Sequence, residues 1–252
     1  MIQTEALNKS IDSLLEKEYV WMTRELIESY IESGAWEVES FVHHLEKHAK
    51  NKPDSPAIID EDGSVTTYKE YDELSTRFAL GLLDLGLEPG DRIALQLPNC
   101  SEFLIALMGA AKAGILPVLC HVPYTKYDLD YIFDLTEASA IVIFDEFKGR
   151  DYVELAKSLQ KDHVSLEHII VVSDDEIEGT VNYRRVVEEG SESREACWKK
   201  TVQSEPIRFS SCSHPARQED RKRNCICMPT TCIGRIHSTK FCNSRTMPNG
   251  SS

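Results

Sequence analysis

The chain has 252 residues, of which 41% are hydrophobic, and a formal net charge of -14. That length and apolar fraction suit one large or two small globular domains and exclude wholesale disorder. The acidity excludes a nucleic-acid binder, which needs clustered Lys and Arg against phosphates. The longest apolar stretch, Leu104 to Cys120, is broken by Lys112, Gly114 and Pro117 and is too short to span a bilayer.

Apolar positions at helical spacing predict helix over residues 5–32, with Gly34 as its stop. The acidic start of this stretch has no apolar core, so no signal peptide is expected and the chain is placed in the cytoplasm. A second helix is predicted from Glu39 to Lys50. A hairpin follows, with strands Ala57–Asp60 and Val65–Tyr68 around the turn Glu61-Asp62-Gly63-Ser64. Helix Lys69–Leu85 ends at Gly86. Strand Ile93–Leu97, helix Ser101–Ala113 capped by Ser101, and strand Leu116–His121 come next. Then come helix Leu129–Thr136, strand Ala140–Phe144, helix Tyr152–Leu159 and strand His168–Val172. Continuously apolar strands separated by helices imply α/β architecture with a mostly parallel sheet covered on both faces. After about Val187 the alternation stops.

Charge and cysteine content change in the same region. From Pro206 onward the chain is +6, which leaves -20 on residues 1–205. Only Cys100 and Cys120 of the eight cysteines precede residue 190, and they read as small buried thiols.

Several segments resemble the N-terminal portion of the adenylate-forming (AMP-binding, acyl-CoA synthetase-like) superfamily. They are Gly34-Ala35-Trp36, Asp54-Ser55-Pro56-Ala57-Ile58, Thr66-Thr67-Tyr68-Lys69-Glu70-Tyr71-Asp72-Glu73-Leu74, Gly86-Leu87-Glu88-Pro89-Gly90-Asp91-Arg92-Ile93-Ala94, Gln96-Leu97-Pro98-Asn99 and Lys112-Ala113-Gly114-Ile115-Leu116-Pro117-Val118. The tryptophan after glycine, the Gln-Leu-Pro-Asn run and the long N-terminal helix are most similar to the aryl-acid branch, with its siderophore-type 2,3-dihydroxybenzoate–AMP ligases. The resemblance implies a partial N-terminal subdomain over residues 1–190; the change of charge, cysteine content and periodicity marks 191–252 as a disordered, out-of-frame tail. The resemblance also implies a parent activity in which ATP and Mg²⁺ activate a carboxylic acid to its acyl-AMP for transfer to CoA or a carrier-protein thiol. In the family this region is scaffold, so no catalytic, cofactor-binding or metal-binding residue is assigned in this chain. No nucleic-acid or membrane partner is expected.

Single residues read blandly. Gly86, Gly90 and Gly114 suit turns and helix ends. Asp91-Arg92 suits a surface ion pair and Lys112 a solvated helix position; His121 beside Pro123 suits a satisfied interior histidine ahead of the alternative, a residue lining a substrate pocket. His44 and His48, with His43 beside them, share metal-capable spacing, yet without a third ligand they read as an exposed helix face.

Acid activation needs a flexible Ser/Thr/Gly loop to hold phosphates and cationic charge to stabilise transfer. The family supplies that loop just after residue 200, closing in Pro-Lys, but the only glycines here after Gly190 are Gly234 and Gly250. The genetic code offers a cause. Reading each codon's third base with the next two bases, Ser213–Lys222 permits Ser-Ser-Gly-Thr-Thr-Gly-Arg-Pro-Lys. The break then lies between Gly190 and Pro206. The expectation is that the chain alone is catalytically inactive and that its incomplete sheet leaves apolar helix faces exposed. Three alternatives remain. One is a non-catalytic acid- or partner-binding protein. Another is a zinc-binding tail built from Cys212, His214, Cys225, Cys227, Cys232, His237 and Cys242. The third, a nucleotide-binding oxidoreductase fragment, lacks its Gly-x-Gly-x-x-Gly turn.

Overall fold

The computed structural model describes residues 11–12, 23–35 and 40–189. The expected out-of-frame tail, its cysteines and histidines, and most of the first predicted helix lie outside the described residues. What is described of that helix is α1, Arg24–Glu32, capped by the Thr23 hydroxyl, which accepts from the Leu26 amide. Helix α2 spans Phe41–Asn51.

The hairpin forms as predicted. Strand β1 (Pro56–Ile59) pairs antiparallel with β2 (Val65–Thr67), with Ile59 opposite Val65. Helix α3, Tyr68–Asp84, starts directly after it because Thr67 and Glu70 form a capping box. The Glu70 amide reaches the Thr67 hydroxyl at 3.3 Å, and the Thr67 amide donates to the Glu70 carboxylate at 2.8 Å.

Five parallel strands then form one sheet: β3 (Arg92–Gln96), β4 (Leu116–Leu119), β5 (Ala140–Phe144), β8 (His168–Val172) and β9 (Val181–Asn182), in the order β4-β3-β5-β8-β9. The connections carry α4 (Ser101–Ala113), α5 (Lys126–Thr136) and α6 (Tyr152–Asp162), and α7 (Tyr183–Glu189) follows β9. A small hairpin of β6 (Glu146–Phe147) and β7 (Arg150–Asp151) precedes α6.

Side-chain alternation divides the core in two. Ile93, Leu95, Val142 and Ile170 face α3, α4 and α7, where they meet Phe78, Leu82, Ala106, Ala110 and Val186. Ala94, Ile141, Ile143 and Ile169 face α5 and α6, where they meet Leu129, Phe133, Val153 and Leu159. Both sheet faces are therefore covered, while the outer side of α5 keeps Tyr127, Tyr131 and Leu135 exposed. The element that closes the first face is α7, which the sequence pattern missed. Tyr183 stacks on Phe78 at 5.2 Å and its hydroxyl donates to the Glu102 carbonyl. Burial pushes that phenol well above its ordinary pKa. Gly81 lets α7 close in, since a Cβ there would stand 2.1 Å from the Val186 carbonyl oxygen.

The β4 edge is blunted against strand addition. Amides of Leu116 and Cys120 donate inward to the Asp91 and Leu95 carbonyls, so by alternation Pro117 sits on the free side, where its missing N–H removes a docking point.

Candidate functional site

In an open parallel sheet a ligand crevice lies at the carboxyl ends of the strands, where successive crossovers leave in opposite directions. Here the chain passes from β3 to β4 on one side and then to β5 on the other, so that point lies between β3 and β5. The Gln96-Leu97-Pro98-Asn99 run and His121 both reach this edge.

Gln96 ends β3 on the α5/α6 face and is 1% exposed. Its side-chain amide donates to the carbonyls of His121 (3.2 Å), Val122 (3.3 Å) and Tyr124 (3.1 Å). The Tyr152 hydroxyl also donates to Val122 O at 3.0 Å, and Arg150 donates to Pro123 O at 3.3 Å. Four consecutive carbonyls of the β4–α5 connection are thus held by three side chains. Gln96 Oε1 itself is buried with no partner. The result is a fixed rim on which His121 stands exposed, edge-on to Tyr124 with ring centroids 5.3 Å apart. His121 is therefore not the interior histidine expected: it follows the end of β4 and projects from the loop. A glutamine closing the apolar run Ile93-Ala94-Leu95 was the one sequence signal for this clamp. At the neighbouring strand ends Asp145 accepts from the Ser173 hydroxyl at 2.8 Å and ties β5 to β8.

The helix starts at this edge carry acids of their own. Helices α4, α5 and α6 all begin here, and each carries a carboxylate in its first turn: Glu102, Asp128 and Glu154. Asp128 accepts the Thr125 amide and hydroxyl at 2.8 Å, and the amide bond chiefly lowers its pKa. Asp151 accepts from the Glu154 amide at the start of α6. The positive helix ends are thus already matched to the chain's own acids. Asp145, Glu146, Asp174, Asp175 and Glu176 add negative charge at the ends of β5 and β8. The β3–α4 and β4–α5 connections contain no glycine.

Other sequence candidates lie elsewhere. Lys112 is not solvated: it is 1% exposed at the opposite end of α4. Its ammonium donates to Asp72 Oδ1 (2.7 Å), the Asp72 carbonyl (2.7 Å) and Thr76 Oγ1 (2.8 Å). Asp91 and Arg92 do not form the expected ion pair. Asp91 accepts from the Glu88 amide at 2.7 Å, and Arg92 Nε is buried without a hydrogen-bond partner. Gly86, Gly90 and Gly114 have φ of 97°, 104° and 72° and serve turns and a helix end as read. Ser101 is the first residue of α4, and Cys100 takes the cap position without a side-chain bond. His43 meets Ser40 at 2.8 Å, and His48 packs on Tyr68. Among the described residues no cluster of three His, Cys, Asp or Glu could hold a metal ion. Burial pushes the thiols of Cys100 and Cys120 up to about 12, which removes thiolate chemistry at neutral pH. Among the described residues no helix is long and apolar enough to cross a membrane.

Residues 45–229 match the family described as AMP-binding enzyme, so the family pattern runs past residue 190. The chain is 34% identical over 150 residues to the salicyl-AMP ligase / salicyl-S-ArCP synthetase of Mycobacterium tuberculosis, covering 58% of this chain and 26% of that protein. It is 33% identical over 152 residues to the 2,3-dihydroxybenzoate-AMP ligase of Bacillus subtilis, covering 60% and 28%. The apo structure of Mycobacterium smegmatis MbtA superposes with a TM-score of 0.61 at 31% identity, covering 68% of this chain and 31% of that one. The chain thus spans between a quarter and a third of the length of these relatives.

Proposed function

The chain belongs to the AMP-binding enzyme family, and from that premise we propose that it is the scaffold portion of an aryl-acid–AMP ligase and does not by itself activate an acid. The parent reaction joins an aryl acid such as salicylate or 2,3-dihydroxybenzoate to AMP at the expense of ATP with Mg²⁺. The acyl group then passes to CoA or a carrier-protein thiol. The aryl acid is favoured because two similar relatives carry salicyl-AMP and 2,3-dihydroxybenzoate-AMP in their names.

The observation that supports the inactivity is the missing phosphate loop: past Gly190 the only glycines in the sequence are Gly234 and Gly250. A triphosphate needs free backbone N–H groups and a glycine-rich cradle at a helix start. Among the described connections at this edge, β3–α4 and β4–α5 contain no glycine, and Glu102, Asp128 and Glu154 place negative charge in the first turns of α4, α5 and α6. The described residues do not fit ATP. What this portion contributes is a rigid wall: the clamped His121–Tyr124 rim and the β3 end, with water excluded from the sheet beneath.

The phosphate loop belongs, on this reading, to another frame of the same gene, in which Ser213–Lys222 permits Ser-Ser-Gly-Thr-Thr-Gly-Arg-Pro-Lys. The nucleotide sequence across codons 185–225 tests this. A continuous alternative frame encoding that loop is expected. A stop codon within it, or codons that spell no Ser-Gly-Thr-rich run, overturns the proposal.

A further inference from the structure

Helix α5 presents an apolar stripe to solvent. Tyr127, Tyr131 and Leu135 recur every fourth residue and are 85%, 49% and 38% exposed. Leu129 and Phe133 meanwhile fill the core on the opposite side of the same helix. At 100° per residue the three exposed side chains fall within one narrow sector, directly away from the sheet, and run about 12 Å along the axis. Single exposed apolar residues need no explanation, but an aligned aromatic row on a helix that already buries its own apolar face does.

The charges around the stripe say what fits it. Asp130 and Asp134 line one flank and Asp128 the other. The helix's only base, Lys126, is committed to Asp130 at 2.8 Å and Asp162 at 2.7 Å. His163, at the end of α6, lies 3.0 Å from Asp130 and 3.5 Å from Asp134. The Asp134 side chain remains 77% exposed. An aromatic ridge between acidic rims complements a helix with an apolar strip and Lys or Arg beside it. It disfavours an anionic membrane, and it disfavours a second copy, which would set Asp134 against the same acidic rim.

We propose that the outer face of α5 is a docking site for a basic amphipathic helix of a partner protein, with Tyr127 and Tyr131 as anchors. Tyrosine suits that role because a large rigid ring is immobilised at little entropic cost. The stripe starts at the carboxyl edge with Tyr127 and runs down the flank of the domain, and peptide binding is read without ATP or acid, so its failure is distinguishable from failure of the proposed ligase role.

The test uses the full chain and two labelled 18-residue helical peptides followed by fluorescence anisotropy. Both carry a leucine strip; one flanks it with lysines, the other with glutamates. The lysine peptide is expected to bind at least tenfold more tightly than its twin. The pair Tyr127→Ser/Tyr131→Ser should weaken it at least tenfold, and Asp134→Asn severalfold. The serine changes lie at exposed positions, so an unaltered thermal transition should show that the variant is folded. Failure of the lysine peptide to bind, equal binding of the twins, or unchanged binding to the serine variant overturns the proposal. So does a concentration-dependent dimer in sedimentation that the serine pair abolishes, because a second copy would then own the face.

Discussion

Removing Asp72 should cost far more than removing its partner. Lys112 carries its ammonium at 1% exposure, with all three protons directed at Asp72 Oδ1, the Asp72 carbonyl and Thr76 Oγ1. Burial lowers its pKa, and the nearby Asp72 charge pulls it part of the way back. The Asp72→Ala change removes the 2.7 Å carboxylate and leaves the buried charge two neutral acceptors and the weaker pull of Glu46. Breaking a buried pair from one side costs about 3–5 kcal/mol, and the 30% exposure of the Asp72 side chain favours the lower end. A loss of about 3 kcal/mol is expected, or a fall of about 1.5 M in urea midpoint at a slope near 2 kcal/mol per M. By contrast, Lys112→Met keeps the stem packed, removes the buried charge and leaves Asp72 reachable by water. It should cost about 1 kcal/mol or less. The double variant should recover most of what Asp72→Ala loses. Equal losses for the two single variants, or a silent Asp72→Ala, would show that burial of the ammonium does not govern the α3–α4 contact.

The Gly81→Ala change should loosen α7 from α3, since the new Cβ meets the Val186 carbonyl carbon and oxygen at 2.9 and 2.1 Å. The cost is on the order of 3 kcal/mol, read by urea denaturation, with faster amide exchange in residues 183–188. A neutral effect would mean that α7 is not seated as described. Alkaline pH should also unfold the chain. Cys100, Cys120, Tyr71 and Tyr183 have folded pKa values raised by burial, with the first three up to about 12. Unfolding releases their protons, so stability is fully present below about pH 9 and falls as pH rises toward 12. Lys112, with its lowered value, contributes in the opposite sense but is one group against four. Urea midpoints that stay level from pH 8 to 11 would contradict these burials.

Much of the fold was legible because the strands are short apolar runs between helices with strong local signals. Thr67-x-x-Glu70 announces the start of α3, and Gly114 the end of α4. The missed elements are those too short to show a period: the two-residue strands β6, β7 and β9, and α7 with seven residues. Lys112 was misplaced because lysine in a helix is ordinarily solvated. The corrective signal lies in its neighbours. Around it, Phe103-Leu104-Ile105-Ala106-Leu107-Met108-Gly109-Ala110-Ala111 is apolar on every side, as in a helix buried all round. A cation in such a helix has to be paired. His121 failed in the reverse sense, because its apolar predecessors belong to β4 while it sits beyond the strand's end. The Gln96 clamp depends on a loop 25 to 28 residues away, a contact no local pattern encodes.

ATP–pyrophosphate exchange driven by salicylate or 2,3-dihydroxybenzoate, with Mg²⁺ and the purified 252-residue chain, bears most directly on the proposed role. No exchange above the acid-free background is expected, because the chain has no glycine-rich loop after Gly190 to hold the phosphates. Acid-dependent exchange that survives repurification of the chain would contradict it.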